Sequence, residues 1–241
     1  MAPELIGGGT VVPLGGHSEA CASPRLARLT GAAESERSAR MKLYFMQGAC
    51  SLAPHVALRE AGLPFTLVRF DKKTQLLEDG RPLTAVAPKG YVPVLELDSG
   101  ERLTEVAVVL QYIADAKPEA GLAPRQGTFE RYRLQEWLNY LATEIHKPYW
   151  PLFHDAAPVE VENARAKLGR SFAFVDAALA GRPFLLGDTF TVADCYLFTV
   201  ANWAKAGGVD LAAWPALKDF RSRVRERPAV LAALKAEGLL R

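Results

Sequence analysis

Apolar and polar positions fall into sustained periods only from Met41 onward. KLYFM, at 42–46, is a short apolar and aromatic run that predicts a strand. Residues 51–61 then place Leu52, Val56, Ala57 and Leu58 on the apolar side of a helix, and Gly62 and Pro64 follow as its stop signals. FTLVRF, at 65–70, alternates with the period of a second strand. A polar stretch without clear period runs on to Tyr91. Beyond it, VLEL and RL flank the turn formers Asp98, Ser99 and Gly100, which predicts a β-hairpin, and 104–116 reads as a helix ending before Pro118.

After 117–127 the pattern is helical throughout. Tyr132, Trp137, Leu138, Leu141 and Ile145 predict one broad apolar stripe, and Val161, Ala164, Leu168, Phe172, Val175 and Leu179 a second, at spacings of three and four. FTVADCYLF, at 190–198, marks a further helix start, with Thr191 suited to the N-cap and Asp194 to the N3 position of a capping box. Capping makes Asp194 structural and leaves Cys195 as a packed core thiol. Two short helices are predicted over 217–227 and 230–240, around Pro228. The order β-α-β, linker, β-β-α over 41–120 is that of a thioredoxin-like α/β domain. An all-α C-terminal helical domain follows over 125–241, with the boundary near 118–127.

Composition narrows the function classes. A chain of 241 residues that is 49% hydrophobic can bury its core without a disulfide or metal staple. A net charge of +2, with both signs interspersed, gives no basic stripe for a nucleic-acid partner. No apolar run reaches the roughly 18 residues of a membrane span. Cys21, Cys50 and Cys195 lack disulfide or metal spacing, which points to a reducing compartment and a cytoplasmic location. Residues 1–40, rich in Gly, Ala, Ser and Pro and without a secretory pattern, are expected to be a disordered extension or the product of a start codon placed upstream of Met41.

The candidate chemistry centres on GACSLAPH, at 48–55. Pro54 must lie among the first helical positions, whose N–H groups have no intrahelical acceptor. The helix therefore begins near Ser51, and Cys50 stands at or beside its N-cap. Free N–H groups and partial positive charge there favour a thiolate. On the residues alone, a reactive thiol and a packed cysteine fit equally well. In a thioredoxin-like domain, however, this strand-to-helix turn is the redox position. CSLA has no second cysteine, so its thiol needs an outside partner, and the cellular one is glutathione.

MKLYFMQGACSLAPHVALREAGL, PKGYVPVL, LTE, EWLNYLATEIHK and FTVADCYLF resemble, in order and spacing across 41–241, the bacterial beta-class glutathione transferases of the glutathione S-transferase superfamily. The resemblance implies an enzyme with glutathione as co-substrate, no tightly bound cofactor and no metal. Such an enzyme directs the glutathione thiol at a small hydrophobic electrophile or a disulfide, with disulfide or peroxide reduction as side activities. It also implies a homodimer. Cys50 is then the residue that contacts, or bonds covalently to, the glutathione sulfur, through a mixed disulfide. Val92, ahead of an expected cis Pro93, pairs with the cysteinyl backbone. The N–H groups of Glu105 and Val106 take the γ-glutamyl carboxylate and the Glu105 side chain its ammonium; a plain first-turn capping acid is the alternative for Glu105.

Asn139, Thr143, His146 and Lys147 look across the domain cleft in this reading, the first three on one helix face. His146 and Lys147 make a positive cluster beside the thiolate, so Cys50 and His146 are the expected catalytic pair. Two departures stand out. Phe45 replaces a usual tyrosine, and Tyr44 points to the opposite face of its strand. Gln75 replaces a common lysine at the glycyl carboxylate. A glutathione-binding carrier with little turnover, or a regulatory protein on the same fold, are the rival readings. The joint presence of Cys50, Glu105, Asn139 and His146 argues against the second. The electrophile itself is not legible, because its side of the cleft is formed by segments such as PYWPLFHD.

Overall fold

A computed structural model describes residues 41–240; the expectation for residues 1–40 lies outside the described residues. The chain enters through β1 (Met41–Phe45), crosses over by α1 (Leu52–Glu60) and returns as β2 (Phe65–Asp71). A two-residue β3 (Leu76–Leu77), the hairpin of β4 (Val94–Glu96) and β5 (Arg102–Thr104), and α2 (Val106–Ala116) complete the α/β part. The five strands are ordered β3-β2-β1-β4-β5. β1 pairs parallel with β2, which requires the helical crossover, while the other pairings are antiparallel. This is the thioredoxin-like mixed sheet that the element order predicts.

Alternation along β1 divides the sheet's two faces. Leu43 and Phe45 enter the main core with α1 and α2, whereas Tyr44 joins Phe70, Leu77 and Val94 in a smaller cluster on the other face. α1 is buried from Leu52 to Leu58, because it packs on α2 and also on two helices of the C-terminal part. Gly62, at φ +64°, ends it in the left-handed conformation that a side chain would disfavour.

The rest of the chain is helical. α3 (Phe129–Tyr140) runs on through a π-helical segment, Leu141–His146, and one tight turn, Lys147–Tyr149, into the short α4 (Trp150–Phe153). α5 (Pro158–Leu179), α6 (Val192–Ala201), α7 (Pro215–Arg225) and α8 (Pro228–Ala236) follow. The last two begin two residues earlier than the pattern suggests, because proline opens each at its first position. The stripe on α3 also needs correction. The buried line is Leu134, Leu138, Leu141 and Ile145, while Tyr132 is 61% exposed. Six positions separate Tyr132 from Leu138, which on a helix places it about 120° around the axis.

α6 is buried along its whole length, so it carries no polar face. Its start is built as expected. The Asp194 carboxylate accepts from the Thr191 N–H at 2.8 Å and the Thr191 hydroxyl at 2.9 Å, and its other oxygen accepts from the Leu185 N–H at 2.9 Å. Cys195 is fully buried beside it. Among the described residues, no helix is long and apolar enough to cross a membrane.

Candidate functional site

Between β1 and α1 the chain makes a tight loop held from several sides. The Ser51 hydroxyl closes it locally, accepting from the Met46 N–H at 3.1 Å and donating to the Met46 carbonyl at 3.2 Å. Gly48 sits at φ +69°, where glycine is favoured. Its N–H donates to Glu237 Oε2 at 2.9 Å, and its carbonyl accepts from the Trp203 indole N–H at 2.8 Å. Glu237 is itself buried. Its second oxygen pairs with His55 Nδ1 at 2.8 Å, and His55 Nε2 accepts from Arg59 Nε at 2.9 Å. The loop is therefore anchored to α1, to the end of α6 and to the end of α8.

This anchoring presents Cys50 at the helix start, partly exposed, with Sγ donating to the Val92 carbonyl at 3.2 Å. The Val92–Pro93 bond is cis. The N–H groups of Cys50 and Ser51 favour the thiolate, yet burial outweighs them, the Glu105 and Glu237 charges add to it, and the thiol is pushed up to about 12. The sequence argument for a thiolate near neutral pH is thus corrected for the ligand-free protein. A helix start supplies partial charge, but desolvation without a neighbouring cation costs more.

The expected cationic cluster does not form. His146 is pushed down to about 4, chiefly by burial and further by the Lys147 charge, so it is neutral. Its Nδ1 lies 2.7 Å from the Tyr196 hydroxyl, and its ring meets Trp203 edge-on at 5.0 Å. Lys147 is exposed, with its ammonium 5.6 Å from the centre of the Trp150 ring. Asn139 and Thr143 are also exposed, linked by the Thr143 hydroxyl donating to the Asn139 carbonyl at 3.2 Å. The single helix face expected for Asn139, Thr143 and His146 is therefore corrected: the π-helical segment spaces its residues more widely and turns His146 inward onto α6.

Glu105 opens α2 at φ +69°, an uncommon conformation for a residue with a side chain and one that marks functional sites. Its carboxylate does not cap the helix but lies 2.7 Å from Lys89 Nζ, both side chains exposed. The capping alternative is thereby set aside. Val106, the first helical residue, offers an N–H with no acceptor inside the helix. Phe45 packs in the core, and the Tyr44 hydroxyl donates to Glu96 on the sheet's other side at 3.2 Å. Gln75, at φ +62°, donates its amide back to the Lys72 carbonyl at 2.7 Å.

Cys50 and Val92 are thus in direct contact, and the Glu105 charge reaches Cys50, His146 and Tyr196 alike. Among the described residues, Gln75, Asn139 and Thr143 make local hydrogen bonds only. Sequence reasoning missed Tyr196, Trp203, His55 and Glu237. Tyr196 lies inside FTVADCYLF, where the capping pattern of Asp194 drew attention away from the hydroxyl two residues later.

Comparison with known proteins gives a consistent result. The family model of the glutathione S-transferase N-terminal domain matches residues 48–116, and that of the C-terminal domain matches residues 140–228. A relative from Escherichia coli O157:H7, glutathione S-transferase GstA, is 46% identical over 200 residues, covering 83% of this chain and all of the relative. The structure of a sphingomonad glutathione S-transferase complexed with glutathione is 46% identical, with TM-score 0.79 over 83% of this chain and all of the other. The bacterial beta-class enzyme of Sphingomonas chungbukensis is likewise 46% identical, with TM-score 0.80 and the same coverage.

Proposed function

Because the chain belongs to the glutathione S-transferase family and is a glutathione transferase, we propose that Cys50 is the thiol that meets the glutathione sulfur. The carrying observation is Cys50 Sγ set 3.2 Å from the carbonyl of Val92. Glutathione lies beside Val92 as an added strand, its cysteinyl N–H directed at that carbonyl. The γ-glutamyl carboxylate faces the free N–H groups at the start of α2, and its ammonium takes the place of Lys89 on Glu105. Gln75 serves the glycyl end. On the opposite side of the cleft His146 faces the ligand from beside α6, and the exposed Asn139, Thr143 and Lys147 reach it from the rim. Residues 41–120 act as the glutathione-binding domain and 125–241 as the helical domain, two copies of the chain form a homodimer, and the lone thiol suits the cytoplasm. No resident cofactor takes part.

Two reactions follow. With a disulfide between glutathione and another thiol, Cys50 gives up its proton to solvent and its thiolate attacks the glutathionyl sulfur. The S–S bond breaks and the other thiolate leaves, so that Cys50 is held in a mixed disulfide with glutathione. A second glutathione thiolate then attacks the mixed disulfide and restores Cys50, releasing glutathione disulfide. With an electrophile, the bound glutathione thiol loses its proton to solvent, and its sulfur bonds to carbon as the leaving group departs. The protonated Cys50 of the free protein fits this scheme. Glutathione competes for the carbonyl that holds the S–H, so the thiol is released where the partner sulfur arrives.

Intact-protein mass after incubation with oxidised glutathione tests the reading. The wild type gains one glutathionyl group. Cys50→Ala gains none at this position and loses thiol transfer, with glutathione affinity changed only modestly. Thiol transfer that survives in Cys50→Ala would show Cys50 to be a packing residue. Tight glutathione binding without turnover across a broad panel of electrophiles and disulfides would favour the carrier instead.

A further inference from the structure

His146 and Tyr196 make a pairing that the reaction scheme above leaves unassigned. Tyr196 is 1% exposed, and its hydroxyl lies 2.7 Å from His146 Nδ1. Among the described residues the hydroxyl has no other hydrogen-bond partner. A buried O–H that finds no acceptor is strongly disfavoured, and a neutral imidazole carries one donor nitrogen and one acceptor nitrogen. Were Nδ1 the protonated nitrogen, it would donate to the phenol oxygen and leave the phenol proton buried without an acceptor. The satisfied arrangement has the phenol donating to an unprotonated Nδ1. Burial keeps both partners in the protonation states this needs, a neutral imidazole and an intact phenol.

The surroundings hold the ring in this state. Trp203 meets the imidazole edge-on at 5.0 Å, and its indole N–H is already engaged by the Gly48 carbonyl. Trp203 therefore packs against His146 without competing for either nitrogen. Nε2 has no partner among the described residues, and His146 is only partly buried, so that nitrogen is accessible to a ligand.

We propose that Tyr196 is a positioning residue that locks His146 as the Nε2–H tautomer, so that His146 serves the site as a hydrogen-bond donor and not as a base. The proposal rests on the glutathione reading only for the identity of what Nε2–H meets, which is the sulfur. The thiol proton of glutathione goes to solvent, and Nε2–H bonds to the thiolate that remains. His146 gains and loses no proton in the cycle.

Nitrogen NMR of the full chain labelled in histidine reads the tautomer directly in the ligand-free protein. The sequence holds four histidines, and the His146 signals are those lost in H146Q. The expected wild-type spectrum shows Nδ1 bare and Nε2 protonated, and Y196F shifts the ring toward a mixture of tautomers. In kinetics, H146A lowers kcat roughly 100-fold, the scale of one lost donor. H146Q recovers most of that loss, since its amide N–H reaches the place of Nε2, whereas H146N recovers little. Y196F lowers kcat with the KM for glutathione nearly unchanged.

A wild-type spectrum with Nδ1 protonated overturns the lock. An H146Q variant as impaired as H146A overturns the donor role. Full activity in H146A removes His146 from the glutathione site, and with it the donor role, while the spectrum still reports on the tautomer. Failure of the tautomer and failure of the glutathione reading are therefore told apart.

Discussion

His146 titrates near 6.5 when free in water and near 4 in the folded chain, because burial and the Lys147 charge disfavour its cation. Between those values the unfolded chain binds a proton that the folded chain does not. The contribution to stability is therefore intact above pH 6.5 and is lost as pH falls toward 4. Urea titrations should show the wild type losing stability relative to H146Q over that window, by an amount up to about 3 kcal/mol. A gap that stays constant with pH would mean that the imidazole is not held neutral by burial. Cys50, Glu105 and His146 were legible because each belongs to a local motif. Tyr196, Trp203 and Glu237 were not, since they meet their partners across 50, 155 and 189 positions. A sequence shows which residues share a helix face, but not which helix will pack against that face. The protonation of Cys50 was misread for a related reason: the helix start is visible in the residues, whereas the desolvation around it comes from the tertiary structure.

α6 shows how an element can be legible at one end and opaque along its length. Its start was read from Thr191 and Asp194, and the structure adds a third donor, the Leu185 N–H, that ties the preceding turn to the same carboxylate. Asp194→Ala leaves two buried backbone N–H groups without an acceptor. It should cost about 2–4 kcal/mol, more than an ordinary cap, because desolvation is added to the lost capping bond. Thermal unfolding measures this, and a loss below about 1 kcal/mol would show the carboxylate to be replaceable by water. The longer strands and helices were recovered to within a few residues of their ends, since periods of two and 3.6 are local signals, whereas the short β3 and α4 were not predicted. The exceptions are instructive. An exposed Tyr132 was drawn into the apolar stripe by its ring, and the π-helical segment before Lys147 leaves no mark in the pattern of apolar positions.

For the whole molecule, the exposed apolar residues of α2 and α3 matter most. Val108, Phe129 and Tyr132 are each at least 46% exposed, and Val108 and Tyr132 border a groove with Leu103 and Tyr112. Apolar surface of this kind on a folded chain marks an interaction site, and the proposed homodimer would cover it. Light scattering at micromolar concentration should give the mass of two chains, and Tyr132→Glu should shift it to one. A wild-type monomer would rule out the homodimer. A dimer unaffected by Tyr132→Glu would place the interface elsewhere.

The hydrogen bond from Gly48 to Glu237 also bears on when the site comes into being. It joins residues 189 positions apart, across nearly the whole described chain. At a synthesis rate of roughly 5–20 residues per second, about 10–40 s separate the two residues' addition on the ribosome. Through that interval the sheet can pair and α1 can form, but the loop bearing Cys50 lacks its carboxylate anchor. The nascent chain thus carries its thiol for tens of seconds before the clamp that orients it exists.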